Sequence, residues 1–354
     1  MDQKVTPIVE QQTPHELGYS VPGRFVEHAC TLMTWPPQEE AAMTSVAGFR
    51  DEVETVALAI ARFEPVVMVV DPKDADAARQ RLGGQGNIEL VEIPVDCCWM
   101  RDNGPIFVSD SDNNVAGVHF EFNGWGGRTP YAATREMPAR ILDHLAIPGF
   151  RADFICEGGG VSFDGDGTVI TTEQVMRNPN RFAGMSRRDV EQKLHDYLGV
   201  ERVIWLGLGL VEDSETDGHV DNVVEYVAPG IVLAQTVKDT SNPNYDLLQD
   251  NLKRLKQARD ARGRKLEIVE MDILPYATSA DGRPLVIPYT NAYVINGAVI
   301  APQVDARLDD RGYRLLEQVY PGRTIVPVPS IWQAVGGGGI GCITQQVPGR
   351  TGRG

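Results

Sequence analysis

Four short stretches carry residue types that could do chemistry, and each is interrupted or flanked by glycine. The first is Trp99-Met100-Arg101-Asp102-Asn103-Gly104-Pro105, followed at a distance by Phe122-Asn123-Gly124-Trp125-Gly126-Gly127. A carboxylate near aromatic rings suits a planar cation, which the ring faces attract. Taken alone, Arg101 and Asp102 would read as a surface ion pair and each tryptophan as core. The second stretch is Glu157-Gly158-Gly159-Gly160, either a plain turn or backbone that approaches a ligand closely. The third, Glu215 to Asn222, places Glu215, Asp217, His219 and Asp221 within seven residues. In extended chain His219 and Asp221 would share one face, as metal ligands or as an acid–base histidine oriented by a carboxylate. The fourth runs Gly336-Gly337-Gly338-Gly339-Ile340-Gly341-Cys342. A lone cysteine reads first as a small buried hydrophobe. Five glycines in the six residues before Cys342 argue for a reactive one, because they clear side chains away from the sulfur. The same run matches a dinucleotide-binding glycine pattern. That unit needs a following helix and a second strand, and only 13 residues follow Gly341.

Together the four stretches suggest one chemistry. A thiol is mostly protonated at neutral pH and must be activated. Nearby carboxylates would repel the thiolate unless a positive charge sits between them. A guanidinium supplies that charge and an electrophilic carbon. Carboxylates can pair with its N–H edges bidentately, and thiol attack on the fixed carbon becomes effectively intramolecular. Of the other histidines, His144 and His195 fall in amphipathic helical patterns, and only His119-Phe120-Glu121 resembles a further ligand pair.

The elements that must position these groups alternate. Apolar runs with strand character recur from residue 65: Pro65–Val70, Gly117–Phe122, Thr168–Thr172, Val203–Leu206, Ile231–Ala234, Glu267–Glu270, Ala292–Ile295, Ala298–Ala301 and Thr324–Val328. Many are bounded by Gly, Pro, Asn or Asp. Asn291–Pro302 predicts a hairpin in which Asn296-Gly297 supplies the positive φ angles, and Gly160–Thr172 a second around Asp164–Gly167. Helical spacing marks Ala42–Phe63, Asp74–Arg81, Thr134–Leu145, Ser186–Leu198, Asn244–Arg262 and Asp305–Val319. Ser186 reads as an N-cap and Gly199 as a stop. The class is α/β, with strand pairs joined by tight turns and separated by helices, in ββαβ order.

The chain has 354 residues, a net charge of −16 and five cysteines, Cys30, Cys97, Cys98, Cys156 and Cys342. The charge disfavours binding to nucleic acid or anionic lipid and agrees with a cationic substrate. The odd, sparse cysteine count fits a reducing compartment better than a disulfide framework. No apolar run approaches a membrane span. The first residues lack the apolar core of a signal peptide. A cytoplasmic protein is expected.

The ordered set WMRDNGP (99–105), FNGWGG (122–127), EGGG (157–160), RNPNR (177–181), ETDGHVDN (215–222) and GGGGIGCITQQVP (336–348) resembles the agmatine deiminase family. These are guanidine-modifying penteins related to bacterial peptidylarginine deiminases. The likeness runs from about Gly18 to Pro348. It implies a five-bladed α/β propeller of ββαβ units, a single catalytic domain over 1–354 with short flexible ends near 1–15 and 349–354, and a homodimer or higher homo-oligomer. It implies Cys342 as nucleophile and His219 as general acid/base. Asp102 and Asp221 would hold the guanidinium, Glu157 would orient His219 and the substrate, and Trp99 and Trp125 would line the site. No metal or organic cofactor is implied. Similar proteins carry histidine directly before the nucleophile, where this chain has Gly341; Cys97 and Cys98 gain no role. The expected activity is hydrolysis of agmatine to N-carbamoylputrescine and ammonia, serving putrescine synthesis. The alternatives are deimination of arginine or peptidylarginine, a metal-dependent ureohydrolase, and a guanidine-binding protein without activity.

Overall fold

A computed structural model of the chain describes residues 12–40, 45–280 and 282–349, together with the backbone of residues 8 and 9. One connection recurs among the described residues: an antiparallel strand pair, a helix, then a strand parallel to the second member. It joins Ile106–Ser109, Val115–Glu121, helix Met137–Leu145 and Gly149–Ile155. It recurs in Val161–Phe163, Thr168–Thr172, helix Arg187–Leu198 and Arg202–Leu206. A third set is Val224–Ala228, Ile231–Gln235, helix Tyr245–Gln257 and Glu267–Met271. A fourth is Tyr293–Ile295, Ala298–Gln303, helix Asp309–Val319 and Thr324–Pro329.

The fifth set joins the two ends of the chain. Thr344–Pro348 pairs antiparallel with His28–Thr34; helix Val46–Ala61 then leads to the parallel strand Val66–Val70, which Ile88–Glu92 extends. The stretch His28–Thr34 is a strand that the alternation from residue 65 did not include. Its pattern is buried on both faces, so polar alternation, the usual strand signal, is missing. Val66–Val70 is likewise wholly buried, and each such Val contributes roughly 1.5–3 kcal/mol relative to exposure.

The expected helices form, with ends set by local chemistry. The Ser186 hydroxyl accepts from the Asp189 amide while the Asp189 carboxylate accepts from the Ser186 amide, a reciprocal cap. Gly199 ends that helix at φ 65°. The helix predicted from Asn244 stops at Gln257, well short of Arg262, because Ala258 turns extended and Arg259 bridges Lys265. The part of the first predicted helix at 42–44 lies outside the described residues, as do most of the ends expected to be flexible. The hairpin at Asn296-Gly297 forms, but only Gly297 takes positive φ, 72°. Asn296 spends its side chain on the start of the His28–Thr34 strand, accepting from the His28 amide at 3.0 Å and donating to the His28 carbonyl at 2.8 Å. No helix among the described residues is long and apolar enough to cross a membrane.

Candidate active site

Each of the five recurring sets is entered through a short turn, and the five turns touch in a closed cycle. They are the helical turns Met100–Asn103, Gly158–Gly160, Val220–Asn222 and Tyr289–Asn291, and the turn at 341–343. The Gly159 amide donates to Asp102 Oδ1 at 2.8 Å. His219 Nε2 lies 2.9 Å from Glu157 Oε2. Asn291 Nδ2 donates to Asn222 Oδ1 at 3.3 Å. The Gly341 amide donates to the Asn291 carbonyl at 2.9 Å, and the Arg101 amide to the Cys342 carbonyl at 3.0 Å.

The seven residues that the resemblance assigned to the site converge here. Cys342, His219, Glu157, Asp102, Asp221, Trp99 and Trp125 are all buried. The Cys342 thiol donates weakly to Asn291 Oδ1 at 3.5 Å and faces Asp221 Oδ2 at 3.8 Å. Trp125 Nε1 donates to Asp102 Oδ2 at 3.0 Å. The Trp99 ring packs over the glycine run: a Cβ on Gly338 would lie 2.4 Å from it. His219 and Asp221 do not reach the site as extended chain. His219 precedes a 3-10 turn that contains Asp221, and it is the turn that brings both inward.

Gly159 lies at the focus. A Cβ there would fall 2.5 Å from His219 Nδ1, 2.8 Å from Asp102 Oδ1 and 3.0 Å from Asp221 Oδ2. Glycine therefore keeps a space open that three functional groups face. Because His219 Nε2 is engaged by Glu157, Nδ1 is the ring nitrogen that faces this space, with Asp102 Oδ1 at 3.7 Å.

Burial by itself would discharge His219, but Asp102, Glu157 and Asp221 outweigh it and hold the imidazolium up to about 9. Burial would raise Glu157, yet the hydrogen bond and charge of His219, with Arg181, hold it below the usual carboxylate range. Asp102 is raised, chiefly by burial. Asp221 is pushed up to about 6 by burial, against the attraction of His219 and Arg24. Burial, then Asp221 and Asp102, push the Cys342 thiol well above its usual value. The resting site thus holds a neutral thiol and an imidazolium, in a pocket whose carboxylates favour an incoming cation.

Three further residues had no assigned role in the sequence. Arg181 donates from Nε to both oxygens of Glu157 at 2.9 Å and from Nη1 to Asp217 at 2.5 Å. Asp217, held at φ 61°, also takes both ends of Arg128, at 2.7 and 2.8 Å. Arg101 turns away from the pocket. Its Nε donates to the Gly341 carbonyl at 3.1 Å and its Nη1 to Gln345 and Gln346, so it anchors the segment that carries Cys342. Asn291 is the third. The one signal for it was positional, since it ends the turn before the fourth set's first strand, as Cys342 and Asp221 stand close before theirs. His119 and Glu121 are not part of the site: His119 Nε2 meets the Arg135 carbonyl, and Glu121 pairs with Arg135 and Arg151. Cys97 and Cys98 are buried beside it, and Asn103 Nδ2 donates to Cys97 Sγ at 3.1 Å.

With this geometry in view, residues 20–348 match the Porphyromonas-type peptidyl-arginine deiminase family. The chain belongs to that family. Among relatives, the agmatine deiminase of Pseudomonas aeruginosa is 39% identical over 359 residues, covering 95% of this chain and 97% of its own length. The agmatine deiminase of Ectopseudomonas mendocina is 37% identical with the same coverage. The solved agmatine deiminase of Enterococcus faecalis, described as catalysing its reaction, superposes with a TM-score of 0.91 at 31% identity, over 97% of this chain and 99% of its own. The matched family region contains all five turns.

Proposed function

We propose that this protein is an agmatine deiminase: it hydrolyses agmatine to N-carbamoylputrescine and ammonia through a covalent intermediate on Cys342. The observation that carries the reading is the space over Gly159. It is faced by Asp102, Asp221 and His219 Nδ1, with the thiol on the Asp221 side. Asp221 Oδ1 is buried with no partner, and such an orphan acceptor calls for a donor. A guanidinium N–H is a suitable one.

Agmatine is favoured over arginine by a cavity that borders Asn222 of the third turn and the glycine run before Cys342. A small cavity of about 60 Å³ is lined by Leu210, Glu212, Asp213, Asn222 and Gly338 among others, and no Lys or Arg is among the described residues lining it. A free or peptidyl α-carboxyl group would meet only acidic and apolar surface there, whereas an amine is matched. The relatives named as agmatine deiminases agree.

In this mechanism the carboxylates of Asp102 and Asp221 hold the guanidinium, and its charge lets the thiol release its proton to solvent, the net proton that ends on the ammonia set free. Thiolate adds to the guanidinium carbon. His219, protonated at Nδ1, gives its proton to the departing amino group, which leaves as ammonia. Glu157, fixed by Arg181, keeps the ring aimed. Neutral His219 then takes a proton from water as the hydroxide adds to the amidino-thioether. Collapse expels the sulfur, leaves the ureido carbonyl and returns the hydroxyl proton to the thiol. Trp99 and Trp125 close the walls against solvent. The cycle of contacts between the five turns supports arranging the five sets as blades of one propeller, in one catalytic domain.

Intact-mass measurement after mixing with agmatine tests this directly. The expected product is an adduct of agmatine less ammonia, mapped to Cys342 after rapid acid quench of the unaltered protein, with ammonia release that survives chelator. Turnover that persists in Cys342→Ala, or that yields urea only with added metal, would refute it.

A further inference from the structure

Four of the five turns deliver a group with a role in the reaction: Asp102, Glu157, His219 with Asp221, and Cys342. The fourth turn in chain order delivers Asn291, which is 4% exposed and has no role so far. Its contacts all run to the nucleophile's segment or to the neighbour of Asp221. Oδ1 accepts from the Cys342 thiol at 3.5 Å. Its carbonyl accepts from the Gly341 amide at 2.9 Å. Nδ2 donates to Asn222 Oδ1, which fixes which end of the amide faces the sulfur, and Thr290 Oγ1 donates to the Asn222 carbonyl at 3.1 Å.

The glycine run is shaped around this side chain. A Cβ on Gly339 would lie 2.6 Å from Asn291 Oδ1, and one on Gly341 would lie 3.0 Å from it and 3.2 Å from the Asn291 carbonyl. Two of the glycines that mark the nucleophile are therefore required by close approach to Asn291. This also accounts for Gly341, where the resembling proteins carry a larger residue: any side chain here requires Asn291 to give way by a few tenths of an ångström.

We propose that Asn291 is a positioning residue for the reaction, holding the Cys342 sulfur in its attack direction by one neutral acceptor and one backbone clamp. Neutrality matters. The thiol already faces Asp221, with Asp102 nearby, and a third carboxylate would raise it further; an amide holds the S–H without adding charge. Asn291 makes no bond to Asp102, Glu157 or His219, so substrate capture does not depend on it. The role rests on Cys342 being the nucleophile.

Two variants test it. Asn291→Ala is expected to lower kcat for agmatine about 100-fold with KM within about 3-fold, the size of effect that misplacing an attacking atom produces, while thermal unfolding stays near that of the unaltered protein. Asn291→Asp keeps the shape and adds charge. Iodoacetamide alkylation of Cys342, mapped by peptide mass across a pH series, is expected to move its half-maximal pH up by at least about one unit. The alkylation series needs no substrate, so it remains decisive even if agmatine proves not to be turned over. Asn291→Ala with kcat within 3-fold of the unaltered enzyme, or Asn291→Asp with an unmoved alkylation midpoint, overturns the proposal.

Discussion

The two sides of the pocket are built differently. On one side every carboxylate oxygen is committed. Asp102 takes the Gly159 amide and Trp125 Nε1, and Glu157 takes Arg181 and His219. On the other side, Asp221 Oδ1 has no partner, Oδ2 has only a distant thiol, and the sulfur's own bonds are long. Satisfied buried networks are rigid, and unsatisfied buried polar groups are costly unless something else uses them. In the proposed mechanism the committed side therefore works as a fixed template that keeps Asp102 and His219 aimed, and the uncommitted side, Asp221 and the thiol, gains its missing partner from the substrate. The glycines follow the same division. Gly159 keeps space open between the two sides, whereas Gly338, Gly339 and Gly341 let Trp99 and Asn291 close in on the nucleophile.

The division can be tested by breaking each side in turn. The largest effect is expected on the uncommitted side. Cys342→Ala should lower kcat by roughly 10⁵-fold or more, as removal of a covalent nucleophile does, with no loss of stability in urea unfolding. On the committed side the signs reverse. Arg181→Ala leaves Glu157 buried without one of its two charged partners and should cost about 3–5 kcal/mol of stability, read by the same unfolding curves. Gly159→Ala tests the open space. Its φ is not in the left-handed region, so alanine is tolerated by the backbone. The added methyl falls among His219, Asp102 and Asp221, so kcat/KM should drop about 100-fold while overpacking costs about 1–3 kcal/mol of stability.

The smallest effect is graded rather than all-or-none. In the proposed mechanism Asp221, near 6, has to be ionised to accept the guanidinium, so kcat/KM should fall as pH drops below about 6. In the same mechanism His219, near 9, has to be protonated, so kcat/KM should fall as pH rises through about 9. These limbs belong to the free enzyme. Stability shares the upper limb. The folded value of His219 lies above the ordinary histidine value of about 6.5, so its contribution is full below that value and is lost as pH rises through about 9. A profile that keeps rising beyond pH 9 would assign the limiting proton to the thiol instead, and would place the controlling charge on the cysteine side of the pocket.

Much of the site was legible in the chain because glycine and charge have few structural excuses. Gly-rich stretches beside Asp102, Glu157, His219 and Cys342 have no helical or strand period to account for them. Pairing those acids with a thiol is sensible only around a cation. The hairpins and the Ser186 cap were legible because they are decided within a few residues. What local pattern could not show were elements buried on both faces, such as His28–Thr34, and residues whose type is ordinary. Asn291 and Arg181 look like any turn asparagine and any surface arginine. They matter because separate turns, 51 and 24 residues away in sequence, bring Cys342 and Glu157 against them.

The amino-acid sequence by itself determined the reaction groups, the α/β alternation and the family likeness, since each rests on residue type and short-range order. Only the tertiary structure decided that five turns close into a cycle, that His219 turns Nδ1 toward the open space, that Asp221 keeps an oxygen free, and that the glycine run is fitted to Asn291. Those are properties of distance between parts of the chain far apart in order. They arise when the Thr344–Pro348 strand, which carries the cysteine's turn, pairs with His28–Thr34 and draws the two ends of the chain together.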